Sequence, residues 1–238
     1  MKIALIGYGK MGREIEQLAL KNDHVIGLII DIENQHEMTV ENLSKCDVAI
    51  EFTTPSSVIE NLKKCFDAGI PVVTGTTGWN DKFEEISDLC TKKGQTLFHA
   101  SNFSIGVNLF FATNRYLARL MNNFAEYNVS IDETHHTAKI DAPSGTAITT
   151  SDIISEQLKR KDGWTMDDVP ADNKIHIKAF REGNVTGIHE VKYDSPIDFL
   201  EIKHSAKSRQ GFVQGALMAA EFIVGKKGVF TMSDMLGL

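Results

Sequence analysis

Short apolar runs recur through the first hundred residues, separated by segments in which apolar positions return every three or four residues. The runs are Lys2–Ile6, Val25–Ile30, 47–52, 71–74 and Thr96–His99. Between them, Met11, Ile15, Leu18 and Ala19 fall on one face of a predicted helix over 11–20. Val58, Leu62, Cys65 and Phe66 do the same over 56–68, and Phe83, Ile86 and Cys90 over 81–93. Such spacing predicts amphipathic helices. Short apolar strands alternating with helices predict a parallel sheet covered on both faces. The stretch 31–45 is short and polar, so the unit is expected to be trimmed there.

After Phe103 the pattern changes. A long apolar helix is predicted over 107–124, then an alternating strand over 127–133 with Tyr127, Val129 and Ile131 on one face. A helix is predicted from Gly145 to about Lys161, followed by a polar loop over 161–173. Three strand candidates follow at 174–181, 186–193 and 198–204. Their closeness in sequence predicts antiparallel pairing. Ile175 and Ile177 alternate with Lys174, His176 and Lys178, as in a sheet with one covered face. A last helix over 210–224, with Phe212, Ala216, Ala219, Ala220 and Ile223, is expected to return to the first unit. The expected fold class is α/β: a Rossmann-type parallel sheet domain plus a second α+β domain with a mixed, largely antiparallel sheet.

Composition narrows the function classes. A net charge of −7 argues against a general nucleic-acid role, which needs a basic surface. Cys46, Cys65 and Cys90 include no CxxC pair and lie in or beside apolar segments, so they read as reduced, buried thiols. The opening Met-Lys-Ile-Ala-Leu-Ile-Gly is no signal peptide. No stretch approaches the roughly 18 apolar residues that span a bilayer. A cytoplasmic protein without membrane or nucleic-acid partners is expected.

The first strand runs into Gly7-Tyr8-Gly9-Lys10-Met11-Gly12, a GxGxxG between strand and helix. The first glycine permits the tight turn, the second lets backbone approach a pyrophosphate, and the third lets the helix lie close to the strand. Asp31 ends the second strand 19 residues after Gly12, where an acid can accept the ribose hydroxyls of a dinucleotide. Lys10 and Arg13 are near enough to meet a 2′-phosphate, which leaves NADH and NADPH both open.

In the second half, Glu133, His135, His136 and Lys139 fall within seven residues, just past a predicted strand end. A histidine moves protons near neutrality, and a lysine supplies positive charge. Ser144-Gly145-Thr146 follows at a predicted helix start, where Ser144 is a natural N-cap and free N–H groups can hold an anion. No metal site is expected, because adjacent histidines on extended chain point apart. Glu133 reads as an orienting group. His24, His36, His99, His176, His189 and His204 read as structural or surface residues.

These strings, taken together, resemble one family. The carriers are Gly7–Gly12, Glu51-Phe-Thr53 with Pro55, Gly75-Thr-Thr-Gly78, 101–109, 133–147, 181–190, 204–209 and the closing Asp234-Met-Leu-Gly-Leu. The resemblance is to 4-hydroxy-tetrahydrodipicolinate reductase, also called dihydrodipicolinate reductase, of bacterial lysine and diaminopimelate synthesis. Its most specific element is His135-His136-x-x-Lys139-x-Asp141-Ala-Pro-Ser144-Gly145-Thr146.

The resemblance implies an NADH- or NADPH-dependent oxidoreductase acting on a cyclic dicarboxylate, and a homotetramer formed through the mixed sheet. It implies a dinucleotide-binding domain from 1–105 and 210–238 and a substrate-binding and oligomerisation domain over 106–209. His135 and Lys139 would be the catalytic acid pair. His136, Lys139, Ser144, Gly145 and Thr146 would hold substrate carboxylates. Gly7, Tyr8, Gly9, Lys10, Met11, Gly12, Asp31, Gly75, Thr76, Thr77, Ala100, Ser101, Asn102 and Phe103 would bind the cofactor. Thr54 stands where some members have an arginine. Two other readings are another amino-acid-pathway dehydrogenase on this fold and a nicotinamide-sensing protein without turnover. An aldehyde-oxidising dehydrogenase would need a cysteine nucleophile, and none lies near the histidine segment. A sensor would lack a proton donor beside the ring.

Overall fold

The structure is a computed structural model describing residues 1–238. The chain forms two compact units, 1–105 with 210–238, and 106–209.

In the first unit, β1 (Lys2–Ile6), β2 (Val25–Ile30), β3 (Val48–Glu51), β4 (Val72–Thr74) and β5 (Thr96–His99) pair in parallel. A sixth strand, β11 (Gly228–Phe230), adds in parallel beside β5, giving the order β11-β5-β4-β3-β1-β2. Alternate strand residues serve opposite faces. Ile3, Leu5, Val48, Ile50, Val73 and Phe98 pack with helices α1 (Lys10–Lys21) and α7 (Gln210–Ile223). Ala4, Ile6, Ala49, Val72 and Leu97 pack with α3 (Val58–Asp67) and α4 (Phe83–Lys92). Each large aliphatic side chain so buried contributes about 1.5–3 kcal/mol. The three cysteines are free and buried. Burial pushes the Cys90 thiol up to about 11, so it has no thiolate character near neutral pH.

The segment after β2 is not simply trimmed. Asp31 caps a 3₁₀ turn over Ile32–Glu37, and Thr39 caps the short α2 (Val40–Leu43). Met38 and Leu43 anchor this path in the core, which short polar spacing does not advertise.

The second unit is built on a five-stranded mixed sheet. Its strands are β6 (Asn128–His135), β7 (Trp164–Thr165), β8 (Ile175–Arg181), β9 (Ile188–Asp194) and β10 (Phe199–Ser205), in the order β10-β9-β6-β8-β7. The expected antiparallel pairing holds for β9 with β10. It fails for β8, because β6 inserts between β8 and β9 and pairs in parallel with the former and antiparallel with the latter. Trp164–Thr165, read from sequence as loop, pairs in parallel with β8. Helices α5 (Ile105–Met121) and α6 (Gly145–Gln157) cover one face, with Phe110, Ala118, Met121, Ala147 and Ile154 against Val129, Ile131, Ile177, Val191 and Tyr193. The helix ends at Gln157 rather than Lys161, and the buried Lys161 ammonium instead ties Asn128 Oδ1 to the carbonyls of Asp172 and Lys174. The chain closes on α8 (Met232–Leu236), in the first unit.

Candidate active site

In the first unit the glycine turn is shaped as its sequence requires. Gly7 has φ +92°, and a Cβ there would lie 2.0 Å from the Phe52 carbonyl oxygen. A Cβ at Gly12 would lie 2.4 Å from the Gly7 carbonyl oxygen, so only glycine lets α1 start this close. At Gly9 nothing lies within 4 Å of the added atom. Gly9 is also the N-cap of α1 and supplies no side chain to its first turn. The turn is thus open at the helix end where a pyrophosphate would be held, and the residues fit a dinucleotide.

Tyr8 hydrogen-bonds the Glu16 carboxylate. Arg13 lies over the Tyr8 ring at 5.0 Å and donates from Nε to the Tyr8 carbonyl at 3.3 Å. That engages the arginine that sequence spacing offers to a 2′-phosphate. Asp31 Oδ1 accepts the Ile32 N–H at 2.9 Å, and Ile32 itself is exposed.

The loops after β3 and β4 are joined by Glu51, a fully buried carboxylate. It accepts from Thr74 Oγ1 at 2.6 Å, Thr76 Oγ1 at 2.8 Å, Asn61 Nδ2 at 3.3 Å and the Thr53 hydroxyl. Thr76 therefore turns its side chain inward while Thr77 is exposed. A Cβ at Gly75 would strike the Phe52 ring at 2.1 Å. Of the 100–103 segment, Ser101 is exposed, Asn102 Oδ1 accepts the Ser104 N–H at 2.9 Å, and Ala100 and the Phe103 ring are core.

In the second unit, β6 runs two residues further than the alternation predicts, so His135 is the last strand residue rather than a residue beyond it. Strand register then assembles the site. Glu133 lies opposite His189 of β9, and His135 opposite Arg181 of β8. Glu133 is fully buried; its Oε1 accepts from Arg181 Nη2 at 3.2 Å and from the Ser144 N–H at 3.0 Å. Its Oε2 faces His135 Nδ1 at 3.5 Å and His189 Nε2 at 3.7 Å. Ser144 caps α6, with Oγ accepting the Ala147 N–H at 3.2 Å and lying 3.1 Å from His189 Nε2. The N–H groups of Gly145 and Thr146 stand in the first turn of that helix, where no intrahelical acceptor exists.

Lys139 Nζ is paired with Asp141 at 2.7 and 2.9 Å, which holds the Asp141 carboxyl below its usual range. His136 is half-buried on the turn between strand and lysine, its carbonyl accepting the Lys139 N–H at 3.0 Å. Burial lowers the His135 imidazole; Glu133 and Asp141 oppose that, and Lys139 and Arg181 add to it. Burial holds the His189 imidazole down at about 3, with the positive neighbours His135, His204 and Lys139 adding.

His189 therefore belongs with this cluster and is not an isolated structural histidine; Arg181 also escaped the residue-by-residue reading. The signal for both is the register across three strands, which local sequence does not display. Glu133, His135 and His189 have ligand-type atoms within 4.8 Å of one another, the size of a metal site. Arg181 and the Ser144 N–H already answer the Glu133 charge, and the cluster reads as a hydrogen-bonding one.

A parallel-sheet unit with an open glycine turn, and a second unit carrying histidine, lysine and a capped helix start, define a pyridine-nucleotide oxidoreductase. Residues 1–103 match the family described as Dihydrodipicolinate reductase, N-terminus, and residues 106–236 its C-terminus. The chain is 48% identical over 238 residues to 4-hydroxy-tetrahydrodipicolinate reductase of Christiangramia forsetii, covering 99% of this chain and 98% of that protein. It is 36% identical over 241 residues to the protein of the same name from Methanosarcina mazei, covering 99% and 89%. Among solved structures it is similar to dipicolinate-bound dihydrodipicolinate reductase from Paenisporosarcina sp. TG-14, with TM-score 0.79, 23% identity and 98% of each chain covered. The chain belongs to the dihydrodipicolinate reductase family, the pyridine-nucleotide reductases of lysine and diaminopimelate biosynthesis. No helix is long and apolar enough to cross a membrane.

Proposed function

We propose that this chain reduces 4-hydroxy-tetrahydrodipicolinate to tetrahydrodipicolinate. The observation that carries the reading is the convergence of His135, Lys139 and the α6 start on one short segment whose backbone is pinned by Glu133 and Arg181. A bound reduced nicotinamide supplies the hydride for the ring. The other product is water: the ring hydroxyl departs, and one proton is consumed with the hydride. His135 and Lys139 are the groups able to move that proton, one as donor and one as electrostatic partner.

His136, Lys139 and the Ser144, Gly145 and Thr146 helix start hold the two carboxylates, with anion and helix end in favourable polarity. A substrate carboxylate takes Lys139 over from Asp141, its partner in this structure.

The cofactor is held by the Gly7–Gly12 turn, by Asp31 on the ribose, and by backbone of 75–77 and 100–103. We infer a preference for NADH. The carboxylate at Asp31 repels a 2′-phosphate, its neighbour is the neutral Ile32, and Arg13 is engaged by Tyr8. The mixed sheet supports a homotetramer: Phe180, Ile197, Phe199 and Leu200 are exposed on or beside it, and β10 is an edge strand.

His135→Ala and Lys139→Ala test the assignment. Each is expected to lower kcat by roughly a hundredfold or more, the range of a lost general acid, while KM for the cofactor holds. Wild-type turnover in both variants would remove the assignment.

A further inference from the structure

Glu133 carries the most deeply buried charge of the second unit. A carboxylate with no exposure costs several kcal/mol unless neighbours compensate it. Its Oε1 is compensated by Arg181 Nη2 at 3.2 Å and the Ser144 N–H at 3.0 Å. Its Oε2 is buried without a hydrogen-bond partner, and so is His135 Nδ1. The two orphaned atoms face each other at 3.5 Å. They satisfy each other only if Nδ1 carries the hydrogen. Catalytic hydrogen bonds commonly draw in to full length only in the substrate complex.

The opposite nitrogen, His135 Nε2, looks onto Gly187, where a Cβ would stand 3.1 Å from it. Bare backbone at 187 leaves that nitrogen room to reach another molecule. The guanidinium that answers Glu133 has further work. Arg181 Nη2 donates to the Asp141 carbonyl at 2.6 Å, and Nε to the Lys139 carbonyl at 3.3 Å. The pair of a buried carboxylate and a half-buried guanidinium thus faces His135 and bonds the lysine turn and the N-cap residue of the helix start.

We propose that Glu133 and Arg181 are a positioning pair for the reduction: Glu133 holds the hydrogen on His135 Nδ1, so that Nε2 is the nitrogen that takes a proton from water and passes it to substrate, and Arg181 fixes the turn that carries Lys139. Neither residue contacts substrate itself. The proposal rests on the reading of His135 as a proton-moving group.

The experiment pairs ring-nitrogen NMR on the full-length enzyme, ¹⁵N-labelled at histidine, with kinetics of Glu133→Gln and Arg181→Lys. His135 is assigned by its loss in His135→Asn. The wild-type spectrum is expected to show hydrogen on His135 Nδ1. In Glu133→Gln a share of the Nε2–H form appears, kcat falls by at least about tenfold, and KM for the dicarboxylate rises while KM for NADH holds. In Arg181→Lys the tautomer is kept and the KM rise is the main effect. An Nε2–H tautomer in the wild type, or wild-type constants in Glu133→Gln, overturns the proposal. The spectrum needs no substrate, so it decides the pairing even if the enzyme consumes no reduced nicotinamide with this dicarboxylate. That last outcome would defeat the functional reading instead.

Discussion

His189 shows how burial turns a titratable side chain into a pH liability. Its imidazole is held at about 3 against an ordinary 6.5, so the folded protein refuses a proton that the unfolded chain accepts. The unfolded state binds more protons between those two values, and stability therefore rises with pH across that window. Above about 6.5 the group has no effect; below it, each pH unit costs up to about 1.4 kcal/mol. His135, His204 and His99 are lowered by burial too and act in the same direction. The melting temperature is expected to fall as pH drops from 6.5 toward 4. His189→Gln retains a hydrogen-bonding group beside Ser144 and removes the titration, so its melting curve should depend less steeply on pH. An equal slope in both proteins would show that acid sensitivity arises elsewhere. The sequence made His135, His136 and Lys139 conspicuous because they are neighbours. It concealed His189 and Arg181, more than forty positions away, because only strand register brings them to Glu133.

At the scale of elements, what was legible is what local periodicity encodes. The five strands of the first hundred residues and their helices lie within a few residues of their predicted bounds, because each carries its own buried stripe. The two-residue β7 and three-residue β11 are too short to show a period, and they are strands only because β8 and β5 offer edges. The placement of β6 between β8 and β9 is likewise a long-range choice, one that puts Val129 and Ile131 at the centre of their core.

Glu51 is the comparable element-level device in the first unit, joining the ends of β3 and β4 to α3 through three hydroxyls and Asn61. Glu51→Gln replaces one acceptor with a donor facing donors. It is expected to cost roughly 1–3 kcal/mol of stability, and to raise KM for NADH more than KM for the dicarboxylate. Thermal unfolding and separate KM determinations check this; unchanged values for both would mean that the loops hold their shape without the carboxylate.

For the molecule as a whole, the chain passes from the first unit to the second after Ile105 and returns at Gln210. The return helix α7 belongs to the first unit, where Ala216, Ala219, Ala220 and Ile223 of its expected face are buried together with Val213 and Leu217, while Phe212 is only half-buried. A Cβ at its Gly215 would fall 1.8 Å from the Phe103 carbonyl oxygen, so the helix seats against the 100–103 segment through bare backbone. The exposed Phe180, Phe199 and Leu200 of the second unit call for a cover at this scale. Light scattering on the eluting peak is expected to give four chain masses, and Phe199→Glu a smaller species. A monomeric wild type would contradict the tetramer.

The proposed reaction is reduction of one cyclic dicarboxylate by a nicotinamide held on the glycine turn. Its most direct measurement follows the loss of reduced-nicotinamide absorbance when the purified protein meets freshly generated 4-hydroxy-tetrahydrodipicolinate, with NADH and NADPH side by side. Substrate-dependent consumption is expected, with kcat/KM for NADH higher by roughly tenfold or more, the worth of a hydrogen bond between a charged group and the ribose. Consumption with neither cofactor would contradict it.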